Sequence, residues 1–330
     1  MAIKDIFLRW ISFGLGCFYS TFILFALFIW FVRHPIAFFT RKKRDVMPSV
    51  LNNPDLGTHG YVHLEVKVRI HYVAQGDEAK PLMLFVHGFP EFWYSWRYQL
   101  REFKKDYRVV AIDLRGYGDS DKPPGVANYK VSKMVADLKQ VIPALGYRSC
   151  VLVAHDWGGV IAWTFTAMHP ELVDKLIVMN CPHPGIFYSY MWKHLSQFRK
   201  SWYTFFFQVP FLPEFMLRTN DMKALEIIFT ETCNTEDVEA YKYAFSRPGA
   251  ATAAINYYRA KIQFPVRRIP KISCPVLTIW GCKDAALETG LAAAADAVDN
   301  HTVKYIQEAC HQVIIDTPDQ VNSYMTDFLK

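Results

Sequence analysis

Six short runs of apolar residues, each followed by a loop and a helix-prone segment, constrain the fold of this 330-residue chain more than any other feature. A strand that is apolar at every position is buried on both faces, which is typical of parallel sheets covered by helices. Two further β patterns, at 61–65 and 68–74, come before these runs. The pattern predicts an α/β fold with a mostly parallel sheet. The six runs lie at 82–86, 109–112, 150–153, 176–179, 276–280 and 303–306, and helices are predicted at 131–145, 160–168 and 287–297.

One region interrupts this alternation of strands and helices. Residues 183–268 contain no strand-like run followed by a helix, but a dense aromatic and helix-prone stretch. We interpret it as a helical lid inserted into the α/β unit. The predicted organisation is an α/β core made of residues 61–182 and 269–330, a lid of residues 183–268, and a polar linker of residues 45–60.

The N-terminal segment reads as a membrane anchor. Residues 11–32 carry no charged side chain, and about 20 apolar residues are enough for a helix to cross a bilayer. A cleaved signal peptide is the alternative, but its apolar region is usually ~7–15 residues long and ends at small residues. We predict an uncleaved anchor in residues 1–44, with its helix at about 11–32 and in contact with membrane lipid. The basic residues at 41–44 favour a single-pass protein with a cytosolic body, and we expect it in the endoplasmic reticulum.

The charge and the cysteines exclude several function classes. Residues 1–44 hold seven Lys/Arg and one acid, a net charge of +6, which leaves 30 basic and 30 acidic side chains in the rest. A neutral body does not favour nucleic acid as a partner. The seven cysteines are dispersed, without a CxxC or a Cys/His cluster at zinc spacing. We therefore expect reduced thiols and no metal site.

The run at 150–153 leads directly into the sequence AHDWGG at 154–159 and then into a helix-prone segment. A strand, a sharp turn with small residues and a helix form the nucleophile elbow, which pushes one side chain into a site. The residue at that point is Asp156. A carboxylate attacks carbon without prior deprotonation and leaves an ester. The alternative for Asp156 is a buried residue that caps the next helix.

Two further strand ends carry residues that suit the same chemistry. The sequence HGFP at 87–90 follows the first strong strand, where Gly88 allows close approach of the backbone. The N–H groups of Phe89 and Trp157 would form an anion-binding pair. His87 in this motif reads as structural rather than as a catalytic base, and Pro90 completes the motif.

A base must then activate water to cleave the ester. His311 follows the last strand pattern and Asp284 follows the one before it, which is the chain order nucleophile, acid, histidine of the elbow fold. Each of these two residues alone would more often be a surface loop residue. Their joint occurrence with Asp156 indicates a catalytic trio, with His311 as the base and Asp284 orienting it.

The motifs together resemble a known family, the epoxide hydrolases of the α/β-hydrolase fold, particularly their membrane-anchored animal epoxide hydrolase 4-like group. The resemblance rests on HGFPEFWYSWR at 87–97, DLRGYGDSDKP at 113–123 and HDWGG at 155–159. It implies conversion of an epoxide and water to a vicinal diol, without a cofactor. The aspartate would open the epoxide, and the His–Asp pair would activate the water. The aromatic lid and the anchor favour a lipophilic substrate.

The resemblance also implies two lid tyrosines that bind the epoxide oxygen. One lies just before the sequence FFQVP at 206–210, which points to Tyr203, and the other lies in NYYR at 256–259, which points to Tyr258. Neighbouring helical residues point about 100° apart, so only one of Tyr257 and Tyr258 can face the nucleophile. The chain departs from many members at Ala154, where they have Gly, and in the residues that flank His311.

Two alternatives remain at this stage. A haloalkane dehalogenase also uses an Asp nucleophile beside a Trp, but its halide leaving group needs ring N–H donors rather than two phenols. A protein with this fold could also bind a ligand without catalysis, which the complete set of catalytic residues argues against.

Overall fold

A single eight-stranded sheet forms the centre of the computed structural model, which describes residues 3–265, 269–293 and 297–330. The strand order is β1-β2-β4-β3-β5-β6-β7-β8. The β1/β2 and β2/β4 pairs are antiparallel and the other pairs are parallel. The strands are β1 Thr58–His63, β2 Arg69–Gln75, β3 Leu82–Val86, β4 Arg108–Ile112, β5 Cys150–His155, β6 Val173–Met179, β7 Val276–Gly281 and β8 His301–Ile306.

The predicted mostly parallel sheet is therefore confirmed, and each of the six apolar runs lies in a strand. Every residue of β3, β5 and β7 is buried, because helices cover both faces of the sheet. The helix α4 packs on α5, and α13 packs on α3, which gives two helical layers. Outside the lid the helices are α1 Ile3–Arg33, α2 Pro35–Phe39, α3 Arg97–Phe103, α4 Val131–Ala144, α5 Trp157–Met168, α12 Val313–Asp316 and α13 Pro318–Leu329.

Six consecutive helices lie between β6 and β7, where the sequence lacks strand patterns. The longest, α9, is interrupted at residues 219–222 by non-helical backbone. The last three residues of the predicted lid, 266–268, lie outside the described residues. The helices of this segment, here called the lid, are α6 Pro184–Lys193, α7 Leu195–Lys200, α8 Trp202–Phe206, α9 Leu212–Phe229, α10 Thr235–Ser246 and α11 Ala250–Gln263.

The helix predicted at 287–297 is wrong over its described part. Only the short 3-10 helix Thr289–Leu291 forms there, and residues 294–296 lie outside the described residues. The Asp284 carboxylate accepts from the N–H groups of Ala286 and Leu287, as a helix cap does, so these bonds do not oppose a helix. Gly290 lies where the helix would continue, and glycine is a poor helix former.

The N-terminal helix α1 is longer than predicted and lies against the lid. Its part Ile6–Arg33 is long and apolar enough to cross a membrane by length and composition. Contacts join α1 to α8 and α11, and join α2 to α9. Arg44 lies just before the linker. Its guanidinium forms ion pairs with Asp221 and Glu239 of the lid.

Candidate active site

The elbow residue Asp156 lies between β5 and α5 with φ of 47° and ψ of −118°. This left-handed backbone is strained for a residue with a side chain, and such strain is frequent at functional sites. Two glycines make room for it. A Cβ at Gly88 would lie 2.5 Å from the Asp156 Cβ, and one at Gly158 would overlap the carbonyl oxygen of Val86. The small residues around the turn are therefore required by close contacts.

The two carboxylate oxygens of Asp156 have different neighbours. The N–H of Phe89 donates to Oδ1 at 2.8 Å, whereas Oδ2 lies 3.6 Å from Nε2 of His311. Phe89 is joined to Pro90 by a cis peptide bond. Both predicted backbone donors are described, and the N–H of Trp157 makes no hydrogen bond to this carboxylate. Burial opposes the charge of Asp156, but the interaction with His311 outweighs it and lowers the pKa of Asp156.

His311 lies between two carboxylates. Its Nδ1 is 2.6 Å from Oδ2 of Asp284, and its Nε2 faces Asp156. Burial disfavours the charged imidazole, but the charges and hydrogen bonds of Asp284 and Asp156 raise the pKa of His311 well above its ordinary value. Burial likewise opposes the charge of Asp284, and His311 with Asn180 lowers the pKa of that acid. The trio predicted at three strand ends therefore meets in space.

Tyr203 and Tyr258 come together over the nucleophile. Their ring centroids are 5.8 Å apart, and the Tyr258 ring meets that of Trp157 edge to face at 5.0 Å. Burial and the charge of Asp156 raise the pKa of both phenols, so each stays protonated at neutral pH. Tyr257 points elsewhere and donates to the carbonyl oxygen of Arg115 at 2.7 Å. The geometry thus matches Tyr258 rather than its neighbour.

Asp156 and both tyrosines line one cavity. Its walls are mainly aromatic and aliphatic, as in many sites for small molecules. Lys261 also lines it, one helical turn after Tyr258, with its ammonium 5.3 Å from the ring centroid of Trp157. Burial lowers the pKa of Lys261, and the charge of Asp156 partly offsets this.

Three polar residues of the site were missed from the sequence. Asn180 donates to Asp284 at 2.7 Å and accepts from a backbone N–H, and it directly follows β6. Its place at a strand end was the available signal. Glu91 links the N–H of Gly88 to Nδ1 of His155. No pattern in the sequence marks Lys261, because its position in the cavity depends on how the lid helices pack.

His155 and His87 have supporting positions behind the nucleophile. Nε2 of His155 lies 2.8 Å from the carbonyl oxygen of His311, which joins the nucleophile loop to the base loop. Nε2 of His87 accepts from the N–H of Leu114, so its Nδ1 carries the proton toward the Gly88 carbonyl. Burial lowers the pKa of His87. A neutral, fully hydrogen-bonded imidazole agrees with the structural role expected for His87.

The described residues contain no group of three or more His, Cys, Asp or Glu side chains that could hold a metal ion. The side chains around Asp156 combine a carboxylate, an imidazole with a second carboxylate and two phenols, a set that suits attack by a carboxylate and proton transfer. This chemistry needs a nucleophile, a base with its partner and donors for a leaving oxygen.

Comparisons with known proteins agree with this geometry. Residues 81–318 match the model of the alpha/beta hydrolase fold family. The human protein "Epoxide hydrolase 4" is 46% identical over 309 residues, which covers 90% of this chain and 85% of the relative. The chain belongs to the epoxide hydrolases.

Two further relatives extend the comparison. "Epoxide hydrolase 1" of Caenorhabditis elegans is 44% identical over 317 residues, covering 92% of this chain and 77% of the relative. The second is a Phe-to-Ala mutant of a Bacillus megaterium epoxide hydrolase, which is 35% identical to this chain in sequence. Its crystal structure contains the product (R)-3-[1]naphthyloxy-propane-1,2-diol. It covers 82% of this chain and 99% of its own, with a TM-score of 0.76. The epoxide hydrolase resemblance is thereby confirmed.

Proposed function

We propose that this epoxide hydrolase converts lipophilic epoxides to vicinal diols through an ester of Asp156. The proposal rests on the groups that contact or face the carboxylate of Asp156. A backbone N–H contacts its first oxygen, an imidazole faces its second, and two protonated phenols share its cavity. The diol product is further supported by the Bacillus megaterium relative, whose product is a propane-1,2-diol.

In the first step, Oδ2 of Asp156 attacks a ring carbon while Tyr203 and Tyr258 donate hydrogen bonds to the epoxide oxygen. The carbon–oxygen bond of the ring breaks, and one phenol supplies the proton that the new alkoxide takes up. The raised pKa values of both phenols keep these protons in place until charge develops on the oxygen. The contact with the Phe89 N–H keeps Oδ1 as the carbonyl oxygen of the ester.

In the second step, His311 removes a proton from water, which attacks the ester carbonyl of Asp156. The oxyanion forms on Oδ1, where the N–H of Phe89 already points. Alkylation removes the negative charge of Asp156, which is one of the causes that raise the pKa of His311. The imidazole therefore becomes a free base only after the ester has formed. Asp284 stabilises the imidazolium that results. Collapse of the oxyanion then breaks the bond between the Asp156 carbonyl carbon and the substrate oxygen, and the diol leaves. The two protons of the water restore the phenol and protonate the departing diol oxygen, so that Asp156 is again a carboxylate.

The pair of phenols favours an epoxide over a halide as the leaving group. An epoxide oxygen leaves as a basic alkoxide and must be protonated, which a phenol can do. A halide needs no proton. The position of Tyr258, rather than Tyr257, in the cavity supports this assignment.

The lid and the N-terminal helix support the choice of a lipophilic substrate. We assign residues 183–268 to the lid, residues 61–182 and 269–330 to the catalytic core, and residues 1–44 to a membrane anchor. The apolar length of α1 and the basic residues at 41–44 support anchoring in the endoplasmic reticulum with a cytosolic body. Protease should then digest the body in sealed microsomes. Asn300, in the glycosylation sequon Asn300-His301-Thr302, should carry no glycan. A protected and glycosylated body would reverse the orientation.

Isotope labelling tests the covalent scheme. In a single turnover in ¹⁸O-water, label should enter the Asp156 carboxylate, because water attacks the ester carbonyl and not the substrate carbon. Peptide mass spectrometry of the segment around Asp156 would measure it, and the Asp156→Asn variant in the same water serves as the control. Label found in the diol with none in the protein would mean direct attack by water.

A further inference from the structure

Helix α1 packs on the lid along a stripe of small residues. Ser12, Gly16 and Ser20, spaced four residues apart, are the buried positions among residues 6–33 of this helix. A Cβ at Gly16 would overlap the carbonyl oxygen of Phe205 in α8, so glycine allows the two helices to touch. The ring of Tyr19 lies 6.2 Å from that of Trp202, next to the catalytic tyrosine of α8. The anchor helix therefore contacts the helix that holds Tyr203.

The same face of α1 reaches the cavity of the active site. Leu8 and Ser12 line this cavity together with Asp156 and both lid tyrosines. Ser12 is fully buried, and its hydroxyl has no hydrogen-bond partner within the part of the chain that the structure describes. A buried hydroxyl without a partner loses its hydrogen bonds to water and gains none in return. A substrate group that hydrogen-bonds to Ser12 would make up for that loss.

We propose that α1 is a wall of the substrate cavity, in which Leu8 contacts the lipophilic arm of the epoxide and Ser12 hydrogen-bonds a polar group on that arm. This inference rests on the proposed function, because it names the part of the chain that binds the substrate of that reaction. The opposite face of α1 is apolar and exposed, with Phe18, Phe22 and Phe25 each more than half accessible. One helix thus separates the cavity from the side of the molecule that faces lipid.

A matched pair of glycines in α1 tests the packing. Gly16→Leu should push α1 away from α8. A Cβ at Gly14 meets nothing within 4 Å. Gly14→Leu therefore makes the same change in hydropathy without a clash and serves as the control. Full-length protein in lipid nanodiscs should lose at least about tenfold in kcat/KM for a long-chain epoxide in the Gly16 variant. The Gly14 variant should stay within about twofold of the wild type. Equal effects of the two changes would overturn the proposed wall.

Ser12 tests the binding contact directly. Ser12→Phe fills the cavity, and a change of one methylene in a pocket alters discrimination by about 10–200-fold. The ratio of KM for a long-chain epoxide to KM for propylene oxide should rise at least about tenfold. Ser12→Ala should raise KM for a hydroxylated long-chain epoxide more than for its unsubstituted analogue. Unchanged ratios in both variants would mean that α1 does not touch the substrate.

Cross-linking separates this inference from the proposed reaction. Cysteines at Tyr19 and Trp202, in a Cys17→Ser background, should be joined by a short bifunctional thiol reagent in native membranes. Cleavage at a protease site engineered near residue 46 would then leave the two fragments linked. The pair of Phe18→Cys with Trp202→Cys, on the outer face, should stay unlinked. No linkage would refute the packing even if epoxides are hydrolysed, and linkage without any hydrolysis would refute the reaction alone.

Discussion

Neutralising Asp156 should lower the pKa of His311, because its carboxylate oxygen lies 3.6 Å from the imidazole Nε2. At that separation two unit charges interact by about 1 kcal/mol at the dielectric constant of water and about 5 kcal/mol at an effective value of 20. One pKa unit corresponds to about 1.4 kcal/mol. In the Asp156→Asn variant, the pKa of His311 should therefore fall measurably, because one of the two charges that raise it is gone. The same fall is expected when the ester forms.

An NMR titration of histidine-labelled full-length protein in detergent measures this pKa. The chain has eleven histidines, and a spectrum of His311→Gln identifies the signal that belongs to His311. Intact mass must show that the amide at residue 156 persists during the titration. The exposed Asp299, which pairs with Lys271, provides the control: Asp299→Asn should leave the pKa of His311 unchanged. A His311 pKa that is the same in Asp156→Asn and wild type would refute the idea that alkylation frees the base.

Three further predictions concern the same site. Tyr203→Phe and Tyr258→Phe should each slow ester formation in stopped-flow single turnovers. The double variant should nearly abolish this step, and the effects of the two changes should not add. Tyr257→Phe, the control, should change the rate of this step little. His311→Gln should slow ester hydrolysis by about 10²–10⁴-fold. An adduct on the enzyme should then accumulate and be visible by intact mass. Near-normal turnover without an adduct would point to another base. Asn180→Ala removes three buried hydrogen bonds beside Asp284 and should lower the free energy of unfolding in urea by about 1–3 kcal/mol.

The sheet and the proximity of Asp156, Asp284 and His311 could be predicted because both leave local signals. A strand buried on both faces must be apolar throughout, so runs such as 82–86 stand out from the rest of the chain. The carboxyl ends of parallel strands meet at one edge of the sheet, so Asp156, Asp284 and His311 could be placed together from their positions after strands. Such rules need only the order of elements along the chain.

Other features depend on contacts that no local pattern records. The alanines and leucines after Asp284 are good helix formers and predict a helix, yet only the 3-10 helix Thr289–Leu291 forms in the described part of this segment. Lys261 reaches the cavity only because α11 crosses the strand ends. The small face of α1 is visible in the sequence as Ser12, Gly16 and Ser20, but the lid helix that covers it is about 190 residues away and could not be inferred.

The ion pairs of Arg44 join the N-terminal segment to the lid. Asp221 accepts from the guanidinium of Arg44 at 2.7 Å and from the N–H of Lys42, and its own N–H donates to the carbonyl of Thr40. The chain that follows α2 is thus fastened to α9 of the lid before it enters the sheet. The lid is held by the N-terminal segment at two places, the packing of α1 on α8 and this junction. Any displacement of the lid relative to the core would therefore carry the N-terminal segment with it.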